Sequence, residues 1–112
     1  MRTQYESKED RSIERELIDA YVSPRACKLP KSYGFDFFVP QESGLPEAWE
    51  VKRRKKRYDT WFISLLKLLK AQQYEAIGIK ANALVDIAGN IYSVRLTETP
   101  YYIEWGGRSD RN

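Results

Sequence analysis

Apolar positions along the chain change their period several times, and each change marks an element. From about Asp10 to Val22 the residues Ile13, Leu17, Ala20 and Tyr21 recur at helical spacing, with Ser7-Lys8-Glu9-Asp10 as a start signal and Ser23-Pro24 as the stop. The period then shortens. Ala26 to Leu29, Phe35 to Val39 and Ala48 to Arg53 read as strands, the last two joined by the turn-forming run Pro40-Gln41-Glu42-Ser43-Gly44. A second helix is predicted from about Trp61 to Ile77, capped by Asp59-Thr60 and ended by Gly78, with Leu65, Leu66, Leu68, Leu69, Ala76 and Ile77 as a broad apolar face. Ala83 to Ile87 and Ile91 to Leu96, separated by Ala88-Gly89-Asn90, read as a closing hairpin. Tyr101 to Trp105 reads as a short strand or an aromatic clasp. This order of elements predicts an α/β fold, one central sheet flanked by helices. Residues 1–9 read as a flexible lead, 10–105 as a single domain and 106–112 as a mobile tail.

A chain of 112 residues, 42% hydrophobic and 31% charged, has the balance of a soluble globular domain with one core. No apolar run approaches the roughly 18 residues of a spanning helix, and the Met1-Arg2-Thr3-Gln4 start lacks a secretory signal. No membrane is therefore expected as a partner, and a place inside the cell is. Cys27 is the single cysteine and histidine is absent, which excludes structural zinc sites, Cys-His and Ser-His-Asp catalysis and nucleases with a histidine base. Carboxylate chemistry with a hard cation remains. The formal net charge is only +3, but Lys52-Arg53-Arg54-Lys55-Lys56-Arg57 is an unbroken cationic block, which favours a polyanion and above all a phosphate backbone.

Candidate chemistry lies just before that block. Asp36 sits in the apolar run Tyr33-Gly34-Phe35-Asp36-Phe37-Phe38-Val39, where an aspartate needs a cationic partner to offset its desolvation. In Ala48-Trp49-Glu50-Val51-Lys52 the period of a strand puts Glu50 and Lys52 on one face and Val51 on the other. If the two strands are hairpin neighbours, Asp36 and Glu50 converge on one cation, with Lys52 beside them. Mg²⁺, which takes one or two carboxylates and keeps waters and phosphate oxygens, suits that arrangement, and Mn²⁺ is its alternate.

This Asp36, Glu50-Val51-Lys52 pattern resembles the PD-(D/E)xK nuclease superfamily, with Phe35 in place of the eponymous proline. The resemblance covers about residues 10 to 97 and extends to small nucleases of phage genomes. It implies a restriction-endonuclease-like α-β-β-β-α-β core with a mixed sheet, and hydrolysis of DNA phosphodiesters. It also implies Asp36, Glu50 and the Val51 backbone carbonyl as metal ligands, and Lys52 as the catalytic lysine. Ile13-Glu14-Arg15-Glu16-Leu17 is similar to the Glu-Arg element of archaeal Holliday-junction resolvases, which makes Glu14 an auxiliary acid and extends the expected substrates to branched DNA. By the same analogy a second copy of the chain is an expected partner.

Ordinary readings compete with these. Asp36, Glu50 and Lys52 can also form a cross-strand salt bridge, and Glu14 a surface ion pair. Arg53, Arg54, Lys55, Lys56 and Arg57 are expected to track phosphates, as are Ser64 and Lys67 through the phage-nuclease resemblance, against a reading as solvated surface. Gln72 falls in the apolar sector of the second helix, where it either caps a backbone group or faces the site. Cys27 reads as a small buried hydrophobe. The functional expectation is a metal-dependent DNA endonuclease; the alternative is a module that grips nucleic acid with the same basic face and does not cut.

Overall fold

The computed structural model describes residues 8–41, 44–55 and 63–100. In chain order these form α1 (Lys8–Tyr21), β1 (Cys27–Lys28), a 3-10 turn (Lys31–Tyr33), β2 (Phe37–Val39), β3 (Glu47–Arg54), α2 (Leu65–Ala76), β4 (Lys80–Ile87), β5 (Asn90–Arg95) and a second 3-10 turn (Leu96–Glu98). One sheet in the order β1-β2-β3-β4-β5 collects all five strands. Every neighbouring pair is antiparallel except β3 and β4, which run parallel because α2 carries the chain back across the sheet between them. The sheet is thus mixed, with a helix on each face, as expected for a restriction-endonuclease-like core. The suggested element at Tyr101 to Trp105 and most of both predicted ends lie outside the described residues.

Alternation along β3 and β4 builds two separate packing layers. Trp49, Val51 and Leu84 join Ile18 of α1, together with Ala26, Phe37 and Val39. Ala48, Ala81, Ala83 and Val85 face the other way and join Leu68 and Ala71 of α2, with Phe35 and Leu96. The sequence pattern understated β4, which begins at Lys80 and pairs along its whole length with β3, from Glu47↔Lys80 to Arg54↔Ile87. Its first residues, Lys80-Ala81-Asn82, carry little apolar signal, yet Asn82 is buried there.

Both helices differ in detail from their predicted faces. Helix α1 starts at Lys8, so the last two residues of the expected lead are helical, and its fully buried residue is Ile18, while Tyr21 is exposed. Arg15 docks its C-terminal half: the guanidinium donates to the carbonyls of Ala26 (2.5 Å) and Pro24 (2.8 Å), pairs with Asp19 at 2.8 Å and lies 5.6 Å from the centre of the Phe37 ring. Helix α2 starts at Leu65, with Ser64 as its N-cap in place of Asp59-Thr60: the Ser64 hydroxyl accepts from the Lys67 N–H at 3.3 Å. Its buried line is Leu68 and Ala71 with Tyr74 packed alongside, whereas Leu65, Leu66, Leu69 and Ile77 are exposed. The reason is steric and electrostatic. The sheet offers α2 an alanine-rich surface with a carboxylate in it, and Lys67 and Glu75 turn inward to polar partners instead of outward to water. Gln72 is exposed, which sets aside the reading of it as a cap on a buried backbone group.

Glu75 fastens the far end of α2. Its carboxylate accepts from Arg95 Nε (2.9 Å) and Nη2 (2.6 Å) and from the Ala81 N–H (3.0 Å), and these hydrogen bonds, with Arg95 foremost, hold its carboxyl down at about 2. In the same turn the Tyr74 hydroxyl donates to the Tyr33 carbonyl at 2.6 Å and the Phe35 and Tyr74 rings meet edge to face at 5.3 Å, which ties the loop before β2 to the helix.

The hairpin between β4 and β5 is tighter than its sequence suggested. Asn90 pairs with Ile87, which leaves Ala88-Gly89 as a two-residue loop with both φ angles positive, 52° and 89°. That geometry is the primed turn that suits the twist of a hairpin, but alanine adopts it at a cost of about 1–2 kcal/mol. Ala88→Asn is therefore expected to stabilise the protein by about 0.5–1 kcal/mol, read as a higher urea midpoint with an unchanged slope; a lower midpoint would show that the turn is not of this type.

Candidate active site

The site forms where β2 and β3 part. Asp36, one residue before β2, is held by its backbone on both sides: its N–H donates to the Trp49 carbonyl at 3.0 Å and its carbonyl accepts from the Leu29 N–H at 2.8 Å. Its side chain then takes the place of a backbone acceptor, with Oδ2 accepting from the Val51 N–H at 2.8 Å. A charge-assisted bond to a backbone donor in a rigid strand fixes the carboxylate beside Glu50. The second oxygen, Oδ1, lies 3.7 Å from the Lys28 ammonium.

Glu50 projects from β3 on the α2 face, since its neighbours Trp49 and Val51 pack into the α1 layer. It is only 6% exposed, a degree of burial unusual for a glutamate. Burial, and next the charge of Asp36, push its carboxyl up from 4.5 to about 7, against the opposing pull of Lys67 and Lys52. Lys52, two residues on, shares that face; burial lowers its pKa, while Glu50 works the other way. The structure therefore brings Asp36, Glu50 and Lys52 into one electrostatic unit, as the spacing predicted.

A fourth member was assigned elsewhere by the sequence. Lys67, expected on a phosphate-tracking ridge, reaches inward from α2 and donates to Glu50 Oε1 at 3.1 Å and to the Gly34 carbonyl, with its ammonium 5.9 Å from the centre of the Phe35 ring. No local signal could have found this, because it requires knowing that α2 crosses over the Glu50 face of β3. Gly34 has a φ of +81°, in the region that favours glycine, and a Cβ there would crowd the neighbouring Lys70, 3.3 Å from its Cγ. Ser64, expected beside Lys67 on that ridge, uses its hydroxyl to cap α2 instead.

The remaining expected residues fall into distinct places. Glu14 is half-buried on α1, whose buried residue Ile18 packs against the opposite face of the sheet from Ala48. Among the described residues no three His, Cys, Asp or Glu side chains gather into one group, so Glu14 does not complete a triad with Asp36 and Glu50. The basic block divides by alternation: Arg54 lies close enough to Lys52 to lower its pKa, while Arg53 meets Asp86 of β4 at 3.9 Å. Lys55 is exposed, and Lys56 and Arg57 lie outside the described residues. Lys28 and Lys31, which the sequence reading passed over, line an open cleft of about 350 Å³ beside Asp36, together with Leu29, Gly34, Phe35 and Lys67. Cys27, expected to be buried, is exposed at the sheet edge.

The donor set fits a hard divalent cation. Two carboxylates meet in a partly buried place, close enough that burial first and the charge of Asp36 next push the Glu50 carboxyl up. Oxygen donors few enough to leave room for water and phosphate are what Mg²⁺ or Mn²⁺ takes. A helix, a hairpin carrying an acid and a Glu-x-Lys row, a crossover helix and a parallel strand together define the PD-(D/E)xK nuclease class. Over residues 1–112 the chain matches the model of the family described as "Phage putative PDDEXK endonuclease". It belongs to that family of phage PD-(D/E)xK nucleases. No curated protein and no solved structure matches it.

The raised carboxyl of Glu50 has a measurable consequence for the metal-free protein. Between about 4.5 and 7 the folded state keeps a proton that the unfolded state has released, so this contribution to stability is complete below about 4.5 and is lost as pH rises through about 7. In chelator, Glu50→Gln is expected to lack that decline and to exceed the wild type at alkaline pH by up to about 3 kcal/mol. Parallel pH profiles for the two proteins in thermal unfolding would contradict the assignment.

Proposed function

We propose that this protein is a metal-dependent deoxyribonuclease that hydrolyses phosphodiester bonds in DNA. The observation that carries the reading is the meeting of Asp36 and Glu50 on diverging strands, with Lys52 on the same face as Glu50. Asp36, Glu50 and the Val51 carbonyl are the groups that would hold a divalent ion. Such an ion, Mg²⁺ or Mn²⁺, supplies Lewis-acid chemistry and a more acidic bound water.

The chain's own residues account for the rest. Asp36 is pinned by Val51 and cannot swing away from the scissile position without breaking a strand contact. Lys52, whose ammonium form burial disfavours, orients the attacking water, accepts its proton more readily than an exposed lysine would, and offsets charge growing on the phosphate. Arg54, on the face of Lys52, and the exposed Lys55 just past the strand hold the phosphate backbone without reading sequence. Lys28 and Lys31, across Asp36 from that pair, receive the backbone on the other side of the site. Branched DNA is a substrate to include because of the resolvase-like Glu14-Arg15 element.

Purified protein incubated with plasmid, single-stranded and branched DNA is expected to nick or cut in Mn²⁺ and to be silent in chelator. Lys52→Ala is expected to lower the cleavage rate by about 100-fold or more while binding persists. Salt-sensitive DNA binding with no metal-dependent cleavage by the wild type would leave a non-catalytic binding module as the function instead.

A further inference from the structure

The Lys67 ammonium stands in an unusual place for a helix lysine. A side chain of this length ordinarily extends into water from the outer face, and the outer face of α2 instead carries exposed Leu65, Leu66 and Leu69. Lys67 turns inward, where two oxygens from different elements receive it: Oε1 of buried Glu50 at 3.1 Å and the carbonyl of Gly34. It also lines the cleft that Asp36 lines. A positive charge ligated by a carboxylate oxygen and a backbone oxygen, next to a second carboxylate, has the surroundings that a hard metal ion prefers.

We propose that Lys67 is a resident counter-ion, which holds the cation position at Glu50 in the metal-free protein and gives it up when a divalent ion binds. The inference rests on the reading of Asp36 and Glu50 as metal ligands. It adds that the site is loaded by exchange of one cation for another. Lys67 neutralises Glu50 while the site waits, and it competes for the same oxygen when metal arrives. The ammonium need not travel far once displaced, because the cleft it already borders opens beside Lys28 and Lys31, where a substrate phosphate would meet it.

Competition gives a sign that a merely structural role would not. In calorimetric titration with Mn²⁺ at about pH 8.5, above the ordinary carboxylate range, Lys67→Met and Lys67→Gln are expected to bind the ion roughly tenfold or more tightly than the wild type. Lys67→Arg, which keeps the charge, should stay at or below wild-type affinity. Mn²⁺ should also raise the melting temperature of Lys67→Gln more than that of the wild type. Unchanged or weaker binding by the neutral variants would overturn the proposal. If Lys67→Met does not fold, Lys67→Gln decides the matter, since its amide can still donate to Glu50. Asp36→Asn separates the two levels of inference. Wild-type binding that Asp36→Asn abolishes but Lys67→Gln does not tighten sinks only the exchange, whereas no Mn²⁺ binding by any form sinks the metal site along with it.

Discussion

The site depends on one hydrogen bond, from the backbone N–H of Val51 to the carboxylate of Asp36. Just before β2 begins, a side-chain oxygen supplies the acceptor that a strand extended backwards would have supplied from its backbone. The strands can then part without leaving a buried donor unmet, next to the cleft that Asp36 and Lys67 line. Structure and prospective chemistry thus share an atom group. The acid is held in register by the sheet, and the sheet's edge is finished by the acid.

Around that bond the protein maintains an uneasy charge balance. Two carboxylates and two amines lie in one partly buried space, and the burial of Glu50, together with the charge of Asp36, outweighs the help it receives from Lys67 and Lys52. A fold optimised for stability alone would place an apolar residue at this position, as the surrounding alanines and valine do. Retaining a buried carboxylate there instead is the kind of local conflict found at functional sites, and it is compensated by firm anchoring of the last turn of α2, through Tyr74 with Tyr33 and through Glu75 with Arg95.

Much of this was legible in the residues. Period-two spacing put Glu50 and Lys52 on one face, and Asp36 announced itself as a charge within an apolar run. What periodicity could not supply was the third dimension. Lys67 looked like surface because a helical projection shows which residues share a side but not which side meets the sheet, and the leucines of α2 outnumbered its true contacts. The reversal follows from β3 and β4: Ala48, Ala81 and Ala83 present a shallow surface that accepts Leu68 and Ala71, while Glu50 draws the lysine inward. Lys28 and Lys31 were missed for a related reason, since a two-residue strand and a 3-10 turn leave almost no pattern to read. The early start of β4 escaped notice because Asn82 is buried without being apolar.

The alanine floor beneath α2 carries an implication for how such a protein can diverge. Each methyl sets the height at which the helix rides, and helix height sets how far the Lys67 ammonium stands from its carboxylate. Enlarging any of those small residues would lift the helix, lengthen that separation and loosen the grip on Glu50 without touching a single charged group. Packing volume therefore works as a dial on the local field, and sequence drift at unremarkable alanines can retune the pairing of Lys67 with Glu50 as surely as a change of charge.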